Sequence, residues 1–572
     1  MRFILSYMKK LGPFIALTVL IKFTATFLEL LIPYVLEFII DEIAPRKTLP
    51  LVLAWGLVMV LLALVVRFFN RKANQRAVKS ARECIYSLRQ DLFEKTISLS
   101  SSEVDRITLP SLISRLTSDS YNLQSFMQSS QTIGVRAPIL LLGGFIVTFS
   151  MDKGLATILM ILAPLMILLV TMISRKGIPL YSLVQSRLDN VVRVMRENIS
   201  GIRVVKALGK EEKEKERFQK ENLKMEKSEV KAGTIMAIPT SLVKLLMNTG
   251  LVFIVIIGAY RVNVGTMKPG VILAFLSYFQ MILMGVLTLN RFFLMMSKAN
   301  ASADRIRHTM EAPDTLKKVE EKEGEAAEKG YLVFDHVSFA YGEGGEVLKD
   351  ISFSLKRGET LGIIGGTGSG KSTVVNLMMR FYDPTEGRIY LDGKDIRSYD
   401  LPLLRSHYGV VFQNDFIFHD TILSNIRIGR DIPVDRVRKA AGDALASSFI
   451  ERYEDGYDHM AAIHGASFSG GQKQRILISR ALSGDSPVII LDDSSSALDY
   501  RTDSKVRGNI LSSHRDSAVV LVAQRVSSIM NSDQIIYLKD GSIQGHGKHS
   551  ELMENCREYR EIYETQMGEG LQ

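Results

Sequence analysis

Residues 365–372 read GGTGSGKS, and this stretch decides the fold of the second half of the chain. It fits the pattern G-x-x-x-x-G-K-[ST], whose backbone N–H groups cradle phosphates. A strand-like run at 361–364 precedes it and a helix-favouring run at 373–379 follows it, as the motif requires. Lys371 is expected to reach the outer phosphates, and Ser372 to ligate Mg²⁺. The residues predicted to bind the nucleotide here are Gly365, Gly366, Thr367, Gly368, Ser369, Gly370, Lys371, Ser372 and Thr373.

A second pattern with a chemical role lies at 488–492, which reads VIILD. The apolar run predicts a buried strand, and Asp492 ends it. A carboxylate at that place organises Mg²⁺ in phosphate-loop enzymes. Many strands end in aspartate, so the pattern alone is weak, but its distance from the phosphate loop makes it a strong indication.

The first half of the chain is membrane-like. The chain has 572 residues, so several domains are expected. Six apolar runs reach the roughly 20 residues that a membrane-spanning helix needs. They lie near Leu11–Ile40, Leu51–Phe69, Thr132–Met151, Leu155–Ile173, Ile235–Tyr260 and Pro269–Met296.

A charged stretch with almost no large apolar residue separates the two halves. The predicted organisation is therefore a membrane domain at 1–311, a linker at 312–330 and an α/β nucleotide-binding domain at 331–572. Residues 1–10 predict an amphipathic helix at the membrane interface. The charged segments 70–131 and 174–233 predict helices that continue out of the membrane.

The net charge of +10 is explained by the membrane rather than by nucleic acid. Basic residues cluster after the second and fourth spans, as at Arg71, Lys72 and Arg175. By the positive-inside rule, these loops and both termini are cytoplasmic. Cys84 and Cys556 then lie on the reducing side, where unpaired thiols are expected.

With these motifs in place, the chain resembles the ATP-binding cassette (ABC) family, specifically exporter half-transporters with six spans and one cassette. The resemblance covers essentially the whole chain. It implies a bacterial plasma-membrane protein that uses ATP and Mg²⁺ and pairs with a second half-transporter. Two cassettes would sandwich two ATP molecules, each between one chain's phosphate loop and the other chain's signature loop.

The resemblance also implies roles for further residues. Tyr341 would stack on adenine, and Gln413 would contact Mg²⁺ and water. Residues 468–472 (FSGGQ) are similar to the signature loop, and 496–499 (SALD) to the D-loop. The implied nucleotide contacts outside the phosphate loop are Tyr341, Ser469, Gly470, Gly471, Gln472 and Asp499; the implied metal contacts are Ser372, Gln413 and Asp492. Segments similar to the coupling regions include Arg115, Asp119 and residues 197–211.

The chain departs from the family at the residues of hydrolysis. Asp493 stands where a glutamate polarises the attacking water, and Gln524 stands where a histidine is usual. Ile463 replaces a glutamate before the signature, and Phe468 replaces the leucine that opens it. Asp493, Gln524 and Gln413 are the candidate catalytic residues. A displacement of about 1 Å can cost a hundredfold in rate, so this site is predicted to hydrolyse ATP poorly, as the weak half of a heterodimer.

Other functions stay open at this stage. A slow homodimer exporting lipid or peptide and an ATP-binding regulatory subunit are the alternatives to an exporter of amphiphilic or drug-like compounds. Charged residues within the spans, Lys22, Glu29 and Arg136, are candidates for cargo contact or for pairing within the bundle. An adaptable apolar pocket, or plain helix packing, is predicted at Phe279, Met281, Met284, Phe292 and Phe293.

Overall fold

The computed structural model divides the chain into two compact units. It describes residues 2–46, 48–313, 315–319, 330–342, 344–494 and 496–568. One unit comprises residues 1–97 and 110–311, and the other comprises 98–109 and 312–572. The predicted linker falls partly on residues 314 and 320–329, which lie outside the described residues.

The first unit is helical. Among the described residues, six helical segments are long and apolar enough to cross a membrane, which confirms the predicted spans. Four helices run far beyond a membrane's thickness; the longest has 53 residues, or about 80 Å. The helices are α1 Arg2–Lys9, α2 Gly12–Phe38, α3 Leu49–Ser98, α4 Ser101–Ile107, α5 Leu109–Ser114, α6 Ser120–Met151, α7 Lys153–Ser200, α8 Ile202–Ala207, α9 Glu211–Asn263 and α10 Pro269–Met310, with π-helical turns at Ile39–Ile43 and Arg115–Asp119.

The core of this unit lies between helix pairs, because each helix buries one apolar stripe. Phe275, Phe279 and Ile282 of α10 pack with residues of α7 and α9 in one cluster. Phe292 stacks on Phe126 of α6, with ring centroids 5.7 Å apart. Phe279 and Phe292 therefore serve helix packing, as does Met281 against a neighbouring cluster. Met284 and Phe293 are exposed.

The second unit is an α/β domain with two sheets. The first is antiparallel, in the order β2-β1-β4-β5. The second has the order β10-β9-β3-β8-β7-β6, and β9, β3, β8, β7 and β6 are mutually parallel. The strands are β1 Leu332–Ala340, β2 Glu346–Leu355, β3 Thr360–Gly365, β4 Glu386–Leu391, β5 Lys394–Asp395, β6 Tyr408–Val411, β7 Val488–Asp492, β8 Ala518–Ala523, β9 Gln534–Lys539 and β10 Ser542–Gly547.

Helices pack against this second sheet, and most residues of its parallel strands are buried. Every residue of β7 is buried, as a strand packed on both faces requires. The helices of this unit are α4, α11 Lys371–Met378, α12 Leu401–Ser406, α13 Ile422–Arg427, α14 Val434–Asp443, α15 Ser447–Ile450, α16 Gly470–Leu482, α17 Tyr500–Ser513, α18 Val526–Ile529, α19 His549–Asn555 and α20 Arg557–Gly568. The place of helix α4 differs from the predicted one. The sequence predicts that residues 98–109 belong to the membrane domain, whereas in the structure they group with the nucleotide-binding unit.

Candidate functional site

Four neighbouring parallel strands end at one edge of the second sheet, and the loops that follow them form a cavity of about 250 Å³. Strand β3 leads into the phosphate loop, β6 into Gln413, β7 into Asp493 and β8 into Gln524. The register pairs Ile364 with Ala523, so these loops start at the same level. Ligands bind at the carboxyl ends of such strands. The predicted phosphate-binding and catalytic residues are thus brought together.

The phosphate loop has the backbone conformation that its glycines permit. Gly368 and Gly370 lie at φ +83° and +101°, a region that side-chain-bearing residues rarely adopt. The Lys371 ammonium lies 2.9 Å and 2.8 Å from the carbonyl oxygens of Gly365 and Gly366. Burial lowers the pKa of Lys371, partly offset by Asp492 and Asp493. The buried Ser369 hydroxyl has no hydrogen-bond partner among the described residues, as suits a loop built to meet phosphate oxygens.

The predicted Mg²⁺ ligands are adjacent. Asp492 is 4% exposed, and both it and Ser372 line the cavity. Burial raises the pKa of Asp492, and the nearby Ser372 side chain opposes that rise. Oxygen donors of this kind suit Mg²⁺, which typically takes one or two protein ligands and completes its shell with phosphates and water. Among the described residues, no group of three or more His, Cys, Asp or Glu is placed to hold a metal ion.

The Asp493 carboxylate is held by two amides. Its Oδ2 atom lies 3.1 Å from Gln524 Nε2 and 3.5 Å from Gln413 Nε2. Its φ of +51° places the residue in the left-handed region, which aspartate tolerates better than most residues. Burial raises the pKa of Asp493, and nearby Lys371 lowers it. Gln524 can donate to a phosphate oxygen but brings no positive charge, unlike a protonated histidine.

The predicted adenine-stacking residue lies in an aromatic cluster. Tyr341 packs edge-on against Phe339 and Tyr382, with ring centroids 4.7 Å and 5.1 Å away. Its hydroxyl lies 3.2 Å from Thr373 Oγ1 at the phosphate loop. Sequence reasoning missed Tyr382, whose hydroxyl donates to Asp105 Oδ2 of α4 at 2.5 Å. A single tyrosine after a helix belongs to no sequence motif, so the sequence could not reveal its contacts with Tyr341 and Asp105.

The signature residues lie apart from this cavity. Ser469 caps α16: its Oγ accepts from Gln472 N at 3.3 Å, and Gln472 Oε1 accepts from Ser469 N at 2.9 Å. This reciprocal capping box fixes the start of the helix. Ser469 and Gly470 are exposed, and none of the four signature residues lines the cavity. Asp499 likewise caps α17, accepting from Thr502 N at 2.9 Å.

A contact from the last helix also reaches the site. The side chain of Gln566 in α20 donates to Gln524 O at 2.9 Å and accepts from Val526 N at 2.8 Å. It therefore fixes the backbone on both sides of Arg525. Sequence reasoning missed Gln566 because an amide on a charged terminal helix looks like a solvated residue.

The predicted coupling residues lie in the membrane unit. Asp119 is buried and forms an ion pair with Arg305, and Arg115 donates to Thr309. Glu197 of α7 pairs with Arg217 of α9 at 2.5 Å. In the first cytoplasmic segment, the part that clusters with the nucleotide-binding unit is residues 98–109, which precede Arg115 and Asp119.

Comparison with known proteins agrees with this arrangement. Residues 15–287 match the ABC transporter transmembrane region, and residues 348–496 match the ABC transporter family. The ABC transporter ATP-binding protein YfiB of Bacillus subtilis (strain 168) is 34% identical over 99% of this chain and 98% of its own length. The ATP-dependent lipid A-core flippase of Sodalis glossinidius (strain morsitans) is 29% identical, over 91% of this chain and 89% of its own.

A solved structure shares the fold. A bacterial Atm1-family ABC exporter with ATP bound superposes with a TM-score of 0.79, covering 97% of this chain and 98% of that one, at 23% identity. The membrane spans, the nucleotide cavity and these matches all lead to one assignment. The chain belongs to the ABC transporter family, with a six-span membrane domain fused to an ATPase domain on the cytoplasmic side of the membrane, and it has the fold of an exporter-type half-transporter.

Proposed function

We propose that this chain is the weak-site subunit of a heterodimeric exporter that moves amphiphilic or drug-like compounds out of the cytoplasm or the inner leaflet. The observation that carries the proposal is the contrast between two regions. Asp493 and Gln524 line the chain's own phosphate cavity, whereas Ser469 to Gln472 keep an intact capping box outside it. A second chain with Glu and His at the matching positions would supply the competent site, completed by this chain's signature loop.

The chemistry of the cavity supports slow hydrolysis with retained binding. The groups that Mg²⁺-ATP binding needs are present. The phosphate loop and Lys371 can contact phosphates, and Ser372 and Asp492 can supply oxygen atoms to Mg²⁺. Mg²⁺ at this site would neutralise phosphate charge. The Asp493 side chain is one methylene shorter than that of glutamate. Gln524 and Gln413 donate hydrogen bonds to its carboxylate at the end of β7. Water is then polarised less well, while the nucleotide still favours the closed state.

A cytoplasmic apolar surface supports assembly with a second chain. Val204 of α8 and Leu208, which follows that helix, are 61% and 65% exposed, and Ile199 near the end of α7 is 70% exposed. A contiguous exposed apolar patch with a polar rim marks an interaction site. A cassette from a second half-transporter is the partner that the family architecture provides.

The first test is affinity purification of the tagged chain from its native membrane, followed by mass spectrometry. A second half-transporter in equal amount, with Glu and His at the matching positions and an altered signature, supports the proposal. The chain alone, with steady ATP turnover, would instead indicate a slow homodimer.

Transport is tested separately in vesicles. ATP-dependent flux of an amphiphilic dye that requires both chains supports the exporter. Protein-free vesicles are the control, and the dye should leave them at the same rate with and without ATP. ATP binding without any flux would point to a regulatory subunit.

A further inference from the structure

A polar cavity lies within the membrane unit, away from the nucleotide. Its volume is about 210 Å³, and its walls come from α2, α3, α6 and α10. Its polar lining residues are Lys22, Asn74, Thr132, Arg136 and Thr288. Polar and charged groups inside membrane spans are costly and are functional by default.

The charges at this cavity do not cancel. Arg136 forms a two-pronged ion pair with Glu29, with Nη2–Oε1 at 2.7 Å and Nε–Oε2 at 3.2 Å. Lys22 is 5% exposed and donates to the Asn70 amide oxygen at 2.6 Å. Among the described residues, no carboxylate forms an ion pair with Lys22. With Arg136 and Glu29 neutralising each other, the site carries one excess positive charge.

Along α2, the cavity lies nearer the cytoplasmic end than the outer end. Lys22 is ten residues from the start of α2, or about 15 Å from the cytoplasmic end of that helix. Asn74 is 25 residues from the start of α3, or about 38 Å from the outer end of that helix. Lys22 therefore lies nearer the cytoplasmic end of α2, the end that a compound from the inner leaflet would reach first.

Size and charge together define the occupant. At ~30 Å³ for each water, the cavity holds the equivalent of about seven waters. Drug-sized ligands need about 300 Å³ or more, so only a head group fits. A buried ammonium that donates to a neutral amide, beside an Arg136–Glu29 pair whose charges cancel, is costly unless an anion pairs with it. Resting on the proposed export of amphiphiles, we propose that this cavity binds the anionic head group, a carboxylate or a phosphate, of the cargo, with Lys22 as its direct partner.

Binding is tested on the purified transporter in phosphatidylcholine nanodiscs with a dansyl-labelled fatty acid and its methyl ester. The unaltered protein is expected to bind the acid at least tenfold more tightly than the ester. Lys22→Gln should weaken acid binding about tenfold or more, since hydrogen bonds to charged groups are worth that much. Lys22→Arg should restore the preference. Equal binding of acid and ester, or acid binding unchanged in Lys22→Gln, overturns the inference.

A competition experiment then tests whether the anion comes from a lipid or from a free organic acid. Adding phosphatidylglycerol to the nanodiscs displaces the acid if a lipid phosphate is the natural occupant, and leaves it bound if a free organic anion is. ATP-dependent flux is measured in parallel. Absence of flux for both acid and ester counts against the proposed function, whereas the binding preference decides the cavity independently of flux.

Discussion

The phosphate cavity departs from the family at the candidate catalytic positions Asp493 and Gln524, whereas the signature loop keeps Ser469 to Gln472 and departs only at the apolar Phe468. The cavity is built from strand ends and contains Asp493 and Gln524 in mutual contact at 3.1 Å. The signature loop opens a helix and keeps both hydrogen bonds of its capping box. Because the two regions share no side chain, substitutions can weaken one ATP site and leave the other region intact. Under the proposed function, this difference would identify the site that the chain weakens.

The largest expected effect comes from the intact region. Ser469→Arg removes the cap of α16 and fills its exposed start with a long side chain, so turnover of the assembled transporter should fall about a hundredfold, as for loss of a transition-state donor. Steady-state ATP hydrolysis measures this. Ser512→Arg is the matched control, since Ser512 is an exposed serine that bonds only within its own helix. Unchanged turnover in Ser469→Arg would mean that this loop serves no active site.

Repairing the altered region should raise the rate. Asp493→Glu with Gln524→His restores the length of the carboxylate and a group that can carry charge. Turnover at this chain's site is expected to increase on the order of tenfold to a hundredfold, the range that about 1 Å of misplacement costs. Single-turnover hydrolysis on the purified transporter checks it, with Asp516→Glu at an exposed turn as the control. If the double variant hydrolyses no faster, these two residues do not limit the site.

The contact from α20 allows a subtler change. Gln566→Ala removes two hydrogen bonds from the backbone around Gln524, so ATP affinity at this site should fall about threefold to tenfold. Gln566→Glu keeps the acceptor for Val526 N and loses the donor, so its loss should be intermediate. Hydrogen exchange at residues 524–526 should rise in the same order. The neighbouring Thr565→Ala, which loses only a bond within its helix, should change neither quantity.

The sequence allowed the fold and the position of the cavity to be predicted, but not the side-chain contacts between residues distant in sequence. The strings at 365–372 and 488–492 carry their own structural context, and the strands predicted beside them are present as β3 and β7, which flank β8. Local patterns say nothing about partners distant in sequence. Tyr382 with Asp105, and Gln566 with Gln524, join residues 277 and 42 positions apart. The excess charge at Lys22 was likewise invisible until Glu29 was seen to pair with Arg136.

The smallest effect separates burial from hydrogen bonding at Asp493. Burial raises the pKa of Asp493, so the folded protein favours the neutral form and loses stability as pH rises and the group ionises. Asp493→Asn removes that cost. Without nucleotide at pH 7, the melting temperature should rise by at most about 2 °C, and the gain should vanish as pH falls towards the ordinary value of 3.8, where the aspartate is itself neutral.

Thermal unfolding across pH in detergent measures the effect, with Asp493→Glu as the variant that retains the charge and should show no gain. A lower melting temperature for Asp493→Asn at neutral pH would reverse the interpretation. The carboxylate's bonds to Gln413 and Gln524 would then outweigh its burial, and the altered site would be one that the fold stabilises in its ionised form. That outcome would make the two amides, rather than the missing methylene, the main reason for a slow site.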